Sequence, residues 1–243
     1  MKTFLQIMWL ILLMASPLYG QSPLYIGSAF EPPVSTLEQK GIVDRIVLEA
    51  FARIGEEALI THLPAERSLL NTSQGINDGD LIRVGGLQHQ YPDLVQVHEK
   101  LIDFEFVAFT MDAQINIDHW NDLSRYSVGI VRGWKILEEK AAHSLLIQVD
   151  SLELLFTLLE KGRTDLVIYE RLAGIYAIQA MQLGGVYQIE PPLEVQPMYL
   201  YLHRKHSGLV DSLVSALKDM KQDGTYHRIV VEGLETLING DSL

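Results

Sequence analysis

Leu101-Ile-Asp-Phe-Glu-Phe-Val-Ala-Phe-Thr-Met111 and Val195-Gln-Pro-Met-Tyr-Leu-Tyr-Leu-His203 decide the fold of this chain. Both stretches are long, aromatic and rich in residues that suit a pleated backbone. Each separates or closes a series in which shorter strand-like and helix-like segments alternate. Before the first, Leu24–Ala29, Ala58–Thr61 and Leu81–Val84 read as strands. Between them lies a helix from Gly41, with Ile42, Ile46, Ala50 and Ile54 four apart, Val43, Val47 and Phe51 in the adjacent row, and Gly55 as its stop. Pro64 opens a second helix through Leu70. Between the two long stretches, Ser127–Val131, Leu145–Val149, Leu166–Tyr169 and Val186–Ile189 read as strands. They alternate with helices over Trp134–Ala142, Leu152–Leu159 and Leu172–Leu183, the middle one capped by Asp150 with Glu153 three residues on. After the second long stretch come two amphipathic helices, one marked by Leu209, Leu213 and Leu217, the other following Gly224.

Alternating strands and helices imply parallel βαβ units in open sheets. Neither series is long enough for a large sheet. The reading is therefore α/β: two lobes, each an open sheet with flanking helices, joined by two hinge strands that cross between them. The expected division is residues 21–108 with 200–243 in lobe 1 and residues 109–199 inserted as lobe 2. One continuous doubly wound domain is the alternative that element order leaves open.

Outward from this core, the first twenty residues read as a cleaved secretory signal. Lys2 supplies the positive end, Ile7–Ala15 is an unbroken run of nine apolar residues, and Pro17 and Gly20 precede a cleavage point before Gln21. The run is shorter than the ~20 residues a spanning helix needs. No cysteine follows it, so the expected product is free in the periplasm rather than a lipoprotein. The chain of 243 residues has no cysteine at all, which excludes disulfides, thiol catalysis and cysteine zinc sites. Its net charge of −12 argues against nucleic acid as a partner, which needs a clustered positive surface. The eight histidines make no set with metal-ligand spacing; His203 and His206 are three apart with no third ligand of matching spacing. No cofactor motif is present. No nucleophile elbow, phosphate loop or His-Glu-x-x-His occurs.

Four stretches carry a resemblance. They are Tyr25-Ile-Gly-Ser-Ala-Phe-Glu-Pro-Pro33, Gly75–Asp80, Leu158-Leu-Glu-Lys-Gly-Arg-Thr-Asp-Leu-Val-Ile168 and Met220-Lys-Gln-Asp-Gly-Thr-Tyr-His-Arg-Ile229. In this order and at these distances they resemble the extracellular solute-binding proteins of family 3. These are type II periplasmic binding proteins that feed ABC importers of polar amino acids. The resemblance implies a cleft between the lobes, outside the carboxyl ends of parallel strands, closing on a small polar solute. It implies a membrane permease or a sensor kinase as partner, and a monomer.

The same resemblance nominates site residues. Phe30 would stack on the solute in place of the family's aromatic, since Val34 follows Pro33. Glu31 lies beside it. Gly133 and Trp134 open the first lobe-2 helix, where the family binds a carboxylate with backbone N–H groups. Glu170 occupies the place of an acid that pairs with an ammonium. Asp165 reads as structural, capping or pairing near Arg163. The family's arginine after the third strand is missing from Gly85-Gly-Leu-Gln-His-Gln-Tyr-Pro92. Arg67 and Arg83 are the remaining candidates for a bidentate carboxylate clamp. The rival to a binding protein is a periplasmic enzyme on the same scaffold, such as a cyclohexadienyl dehydratase-like lyase, with Glu31 or Glu170 as general acid.

Overall fold

A computed structural model describes residues 22–239, so the expected signal segment lies outside the described residues. Strand β1 (Leu24–Ser28) leads through the Pro32-Pro33 turn to helix α1 (Ile42–Arg53). The apolar rows of α1 bury Ile42, Val43, Ile46, Val47, Ala50 and Phe51 completely or nearly so. Asp44 accepts the Gly41 N–H at 3.0 Å and satisfies a donor at the helix start. Gly55, with φ of +77°, turns the chain out of the helix. Then come β2 (Ala58–His62), α2 (Ala65–Ser73), β3 (Gly79–Val84), the short β4 (Leu94–Gln96) and the long β5 (Ile102–Thr110).

The second series is β6 (Ser127–Val131), α3 (Lys135–Lys140), β7 (Leu145–Val149), α4 (Leu152–Glu160), β8 (Leu166–Glu170), α5 (Arg171–Ala180) and β9 (Tyr187–Gln188). The long β10 (Glu194–His203) returns the chain to α6 (Val210–Gln222) and α7 (Thr225–Asn239). The cap of α4 is Ser151, whose Oγ accepts the Leu154 N–H at 3.2 Å, and not Asp150 as the sequence suggested. Asp150 instead pairs with Arg132. β4 was not anticipated: three residues are too few for an alternating pattern to show.

β2, β1 and β3 pair in parallel, as do β7, β6 and β8. The two long strands do more than cross between these groups. Each is shared lengthwise. β5 pairs antiparallel with β10 over Ile102–Phe106 and with β8 over Phe106–Thr110. β10 pairs with β5 over Glu194–Met198 and with β3 over Met198–Leu202. The two open sheets are thereby stitched into one curled mixed path, β2-β1-β3-β10-β5-β8-β6-β7. Hydrogen bonding explains the join: two extended strands side by side satisfy each other's backbone groups rather than leave two open edges.

α6 and α7 pack on α1 so closely that a methyl group on Gly233 would lie 2.3 Å from Ile42 Cγ1. Arg53 binds Asp223 at 2.7 Å at the same seam, and Arg45 pairs with Glu232. In the second half, α5 presses on β5: a methyl on Gly174 would strike the Phe109 ring at 2.4 Å. No helix among the described residues is long and apolar enough to cross a membrane.

Candidate functional site

A hollow of about 810 Å³ lies between the two halves at the carboxyl ends of their parallel strands. One wall comes from the ends of β1 and β2, the turn after β1, and the start of α2. The other comes from the end of β6, the start of α3, the β7–α4 turn, and Tyr169 with Tyr176. Parallel sheets place their loops and helix N-termini at this end, so polar groups converge there from both halves.

The first wall is a hydrogen-bonded array. Ser35 Oγ, buried, donates to Asp44 Oδ1 at 2.6 Å. It accepts from Ser28 Oγ at 2.9 Å and meets His62 Nε2 at 2.9 Å. With its one proton given to Asp44, Ser35 can only accept from His62, which assigns the imidazole proton to Nε2. Asp44 Oδ2 also accepts from Thr36 N at 2.8 Å, so this fully buried carboxylate fixes the turn, the helix start and the histidine together. Burial pushes the Asp44 carboxyl up, opposed by the hydrogen bonds from Ser35, Thr36 and Gly41. Here Ser35 bridges the acid and the imidazole. In a nucleophilic triad the histidine would hold that place.

The second wall is aromatic. Trp134 meets Phe106 and Tyr169 edge to face, each with centroids 5.4 Å apart. It meets Phe30 of the first wall in the same way at 5.4 Å, and Phe30 packs on Phe104 at 5.5 Å. Edge-to-face stacking is the favoured geometry for such rings. Phe30 therefore lines the cleft while only 7% exposed, as a link between halves. Phe30 is thus at once a core residue and a lining residue of the cleft.

The remaining candidates separate. Glu31 lines the cleft, and its charge acts on His62 of the same wall and on Tyr169 across the gap. Partial burial pushes its carboxyl up, with His62 opposing. Gly133 lines the cleft at φ +93°, where a methyl would lie 3.2 Å from Ala65 Cβ of the opposite half. Its N–H, however, already donates to Glu138 Oε1 at 2.9 Å, so it is not a free donor for a carboxylate.

Arg83 is not among the residues lining the main cleft. Its Nη2 donates to Asp80 Oδ2 at 2.9 Å and to the Ala65 carbonyl at 2.7 Å, and it lines an adjoining hollow of about 60 Å³ that shares Ala29, Phe30, Ala65, Gly133 and Trp134 with the cleft, its buried Nε having no partner among the described residues. The fully buried Asp80 holds it there, because a buried charge needs its counter-ion. Arg67 is exposed on α2 and is not among the lining residues. Glu170 turns away from the cleft. Only 3% exposed, it caps α5, its oxygens accepting from Leu172 N at 3.1 Å and Ala173 N at 2.9 Å. Burial pushes its carboxyl up to about 7 in spite of those bonds. Asp165 is structural, but its partner is Ser127, whose N–H and Oγ both reach Oδ2 at 2.7 Å.

His62, Ser35, Asp44, Tyr169 and Tyr176 escaped the sequence reading. Asp44 left one trace: an acid set between Val43 and Ile46 in the apolar rows of α1 is out of pattern and needs a buried partner.

No family model matches the sequence. An uncharacterized protein of Shewanella oneidensis is 28% identical over 191 residues, covering 75% of this chain and 72% of its own. Among solved structures, the GluR0 ligand-binding core in complex with L-glutamate superposes with a TM-score of 0.79 at 14% identity, over 88% of this chain and 99% of its own. A histidine kinase sensor domain with similarity to periplasmic binding proteins gives 0.78 at 14%, over 88% and 96%. The substrate-binding protein of an amino acid ABC transporter gives 0.73 at 16%, over 88% and 100%. The fold is thus that of periplasmic binding proteins, including both transporter and sensor representatives.

Proposed function

We propose that this protein is a periplasmic solute-binding protein that closes on a small polar solute and presents it to an ABC-importer permease or a sensor kinase. The observation that supports this most directly is the cleft: two walls from different halves, polar on one side and aromatic on the other, at the carboxyl ends of parallel strands. Lobe 1 on this reading is residues 21–108 with 200–243, and lobe 2 is 109–199. The paired first halves of β5 and β10, Ile102–Phe106 and Glu194–Met198, form the hinge. Phe30, Glu31 and Trp134 bind the solute, with His62, Tyr169 and Tyr176 added to them. Gly133 supplies the close approach of the walls. Closure expels water and strengthens each polar contact inside.

A solute library screened by thermal shift is expected to yield a stabilising compound, and small-angle scattering should show compaction with it. A broad library without one stabilising solute would count against the proposal. The lyase alternative keeps a single general-acid candidate, Glu31, because Glu170 is committed to the start of α5. Ligand fate separates the two: a solute recovered unchanged after long incubation belongs to a binding protein, and one recovered dehydrated to an enzyme.

A further inference from the structure

The small hollow beside the cleft, about 60 Å³, is walled mostly by hydrocarbon: Leu69, Ile82 and Leu87 from the first half, Trp134 and Ile136 from the second. It therefore lies on the same seam as the cleft and shares a wall with it. One polar atom breaks this apolar lining. Arg83 Nε is buried and has no hydrogen-bond partner among the described residues. The other buried side-chain atoms without a partner, on Thr61, Asn77, Asp80 and Thr164, belong to residues that do not line this hollow. A buried N–H without an acceptor is unfavourable, and an acceptor arriving from the cleft removes that cost.

Charge decides which acceptor fits. The Arg83 guanidinium is already balanced by the fully buried carboxylate of Asp80, 2.9 Å away. Lys135 also lines the hollow, but its ammonium is bound to Glu138 at 3.1 Å. An anion would bring a further charge among apolar side chains beside a pair that is already neutral, and burying a charge without a counter-ion is costly. A cation would bring only donors and would meet the positive side of the same pair. A neutral carbonyl or ether oxygen accepts from Nε and leaves the Asp80–Arg83 pair intact. A water molecule is a poor competitor. Among the buried side-chain atoms of these walls only Nε is free to hold one, where a well-held buried water makes about three hydrogen bonds, and displacing a weakly held water favours the incoming group.

We infer that this hollow is a side pocket of the solute site, taking a short, uncharged, apolar branch of the solute that ends in an acceptor oxygen, with Arg83 Nε as its donor. This deepens the solute-binding reading and rests on it. A hollow of about 60 Å³ has room for about two waters or a branch of about four heavy atoms. Both halves touch that branch, so closing on it fixes its length as well as its polarity. Arg83 is then a specificity-determining residue, acting through the one N–H that Asp80 and the Ala65 carbonyl leave unused.

The test is nuclear magnetic resonance of the nitrogen-15-labelled, exported full chain, reading the Arg83 Nε–H and Trp134 indole N–H signals. The probes are acetone, acetamide, acetate and isopropylammonium, which match in size and differ in charge. Acetone and acetamide are expected to shift both signals saturably, and the two ions to bind about ten-fold more weakly or not at all. Arg83→Lys keeps a charge for Asp80 but lacks Nε, and should weaken acetone by about five-fold as read at Trp134. Leu87→Phe fills the hollow and should abolish acetone binding. It carries the test alone should Arg83→Lys fold poorly. Tighter binding of acetate or isopropylammonium than of acetone overturns the inference, and so does a neutral probe that shifts neither signal or binds both variants undiminished. A stabilising solute found by the thermal-shift screen should displace acetone from the hollow. One that binds and leaves the Arg83 Nε–H signal unmoved overturns the side pocket while solute binding stands. A broad library with no stabilising solute overturns both readings together.

Discussion

The two walls of the cleft are built by different means. The wall from β1, β2 and the turn between β1 and α1 is a lattice of directed bonds, in which Asp44 organises Ser35, Thr36 and Gly41, and Ser35 holds His62. The wall from β6, α3 and α5 is a set of ring edges and faces around Trp134. On the proposed function, directed bonds, which fix angles, would select among solutes, and ring contacts, tolerant of orientation, would supply area on closure.

The contrast can be broken from either side. The largest effect is expected at Trp134, which touches Phe104 and Phe106 of β5, Phe30 of the first half and Tyr169 of the second. Trp134→Ala should cost about 3 kcal/mol or more in denaturant unfolding, since truncating a large packed aromatic removes both burial and contacts. A loss below about 1 kcal/mol would mean that the rings merely adjoin and do not join the halves.

Next in size is a pH dependence behind the aromatic wall. Glu170 has a folded value of about 7 against 4.5 for the free group. Because the folded value is the higher, the folded state holds its proton more tightly. The contribution is complete below about 4.5 and is lost as the pH rises through about 7, a fall of about 3 kcal/mol. Unfolding measured from pH 4.5 to 8 should show that decline, and Glu170→Gln should flatten it, keeping one acceptor for the helix start. A slope unchanged by the substitution would assign the decline elsewhere.

On the polar wall, Asp44→Ala should cost about 2 kcal/mol, because it strands the buried donors of Thr36 and Gly41 and the hydroxyl of Ser35. It should also weaken solute binding, as His62 loses its anchor, whereas Trp134→Ala should weaken binding without altering selectivity among solutes. The smallest effect is expected for Arg132→Ala at the rim. Its pair with Asp150 is exposed on both sides and contributes at most about 0.5 kcal/mol. A larger stability loss there would place part of the closing force at the rim rather than in the aromatic set.

The legible parts of the sequence were those with a repeat or a punctuation mark. α1 announced itself by two apolar rows, and Gly41 and Gly55 marked its ends. β6 and β7 were read to the residue, as short apolar runs, Ser127–Val131 and Leu145–Val149, bounded by polar residues on both sides. The three-residue β4 had no such signature. Phe30, Glu31, Gly133 and Trp134, nominated by the resemblance just after strand ends, do line the cleft, where an α/β fold exposes its loops. Arg83 and Glu170 also sit at strand ends, and position alone could not tell that one turns to Asp80 and the other to the helix after it.

The amino-acid order by itself determined the alternation of strands and helices, the two long β segments, and hence an α/β molecule in two parts, since side-chain period and turn residues act over a few positions. Only the tertiary structure decided which polar groups remain unspent. Asp44 and His62 meet through Ser35 from three separate elements, and Phe30 and Trp134 meet from opposite halves. Whether a charged side chain serves a solute or a neighbour depends on what lies within about 3 Å of it in space, and hydrogen bonding has no period along the chain.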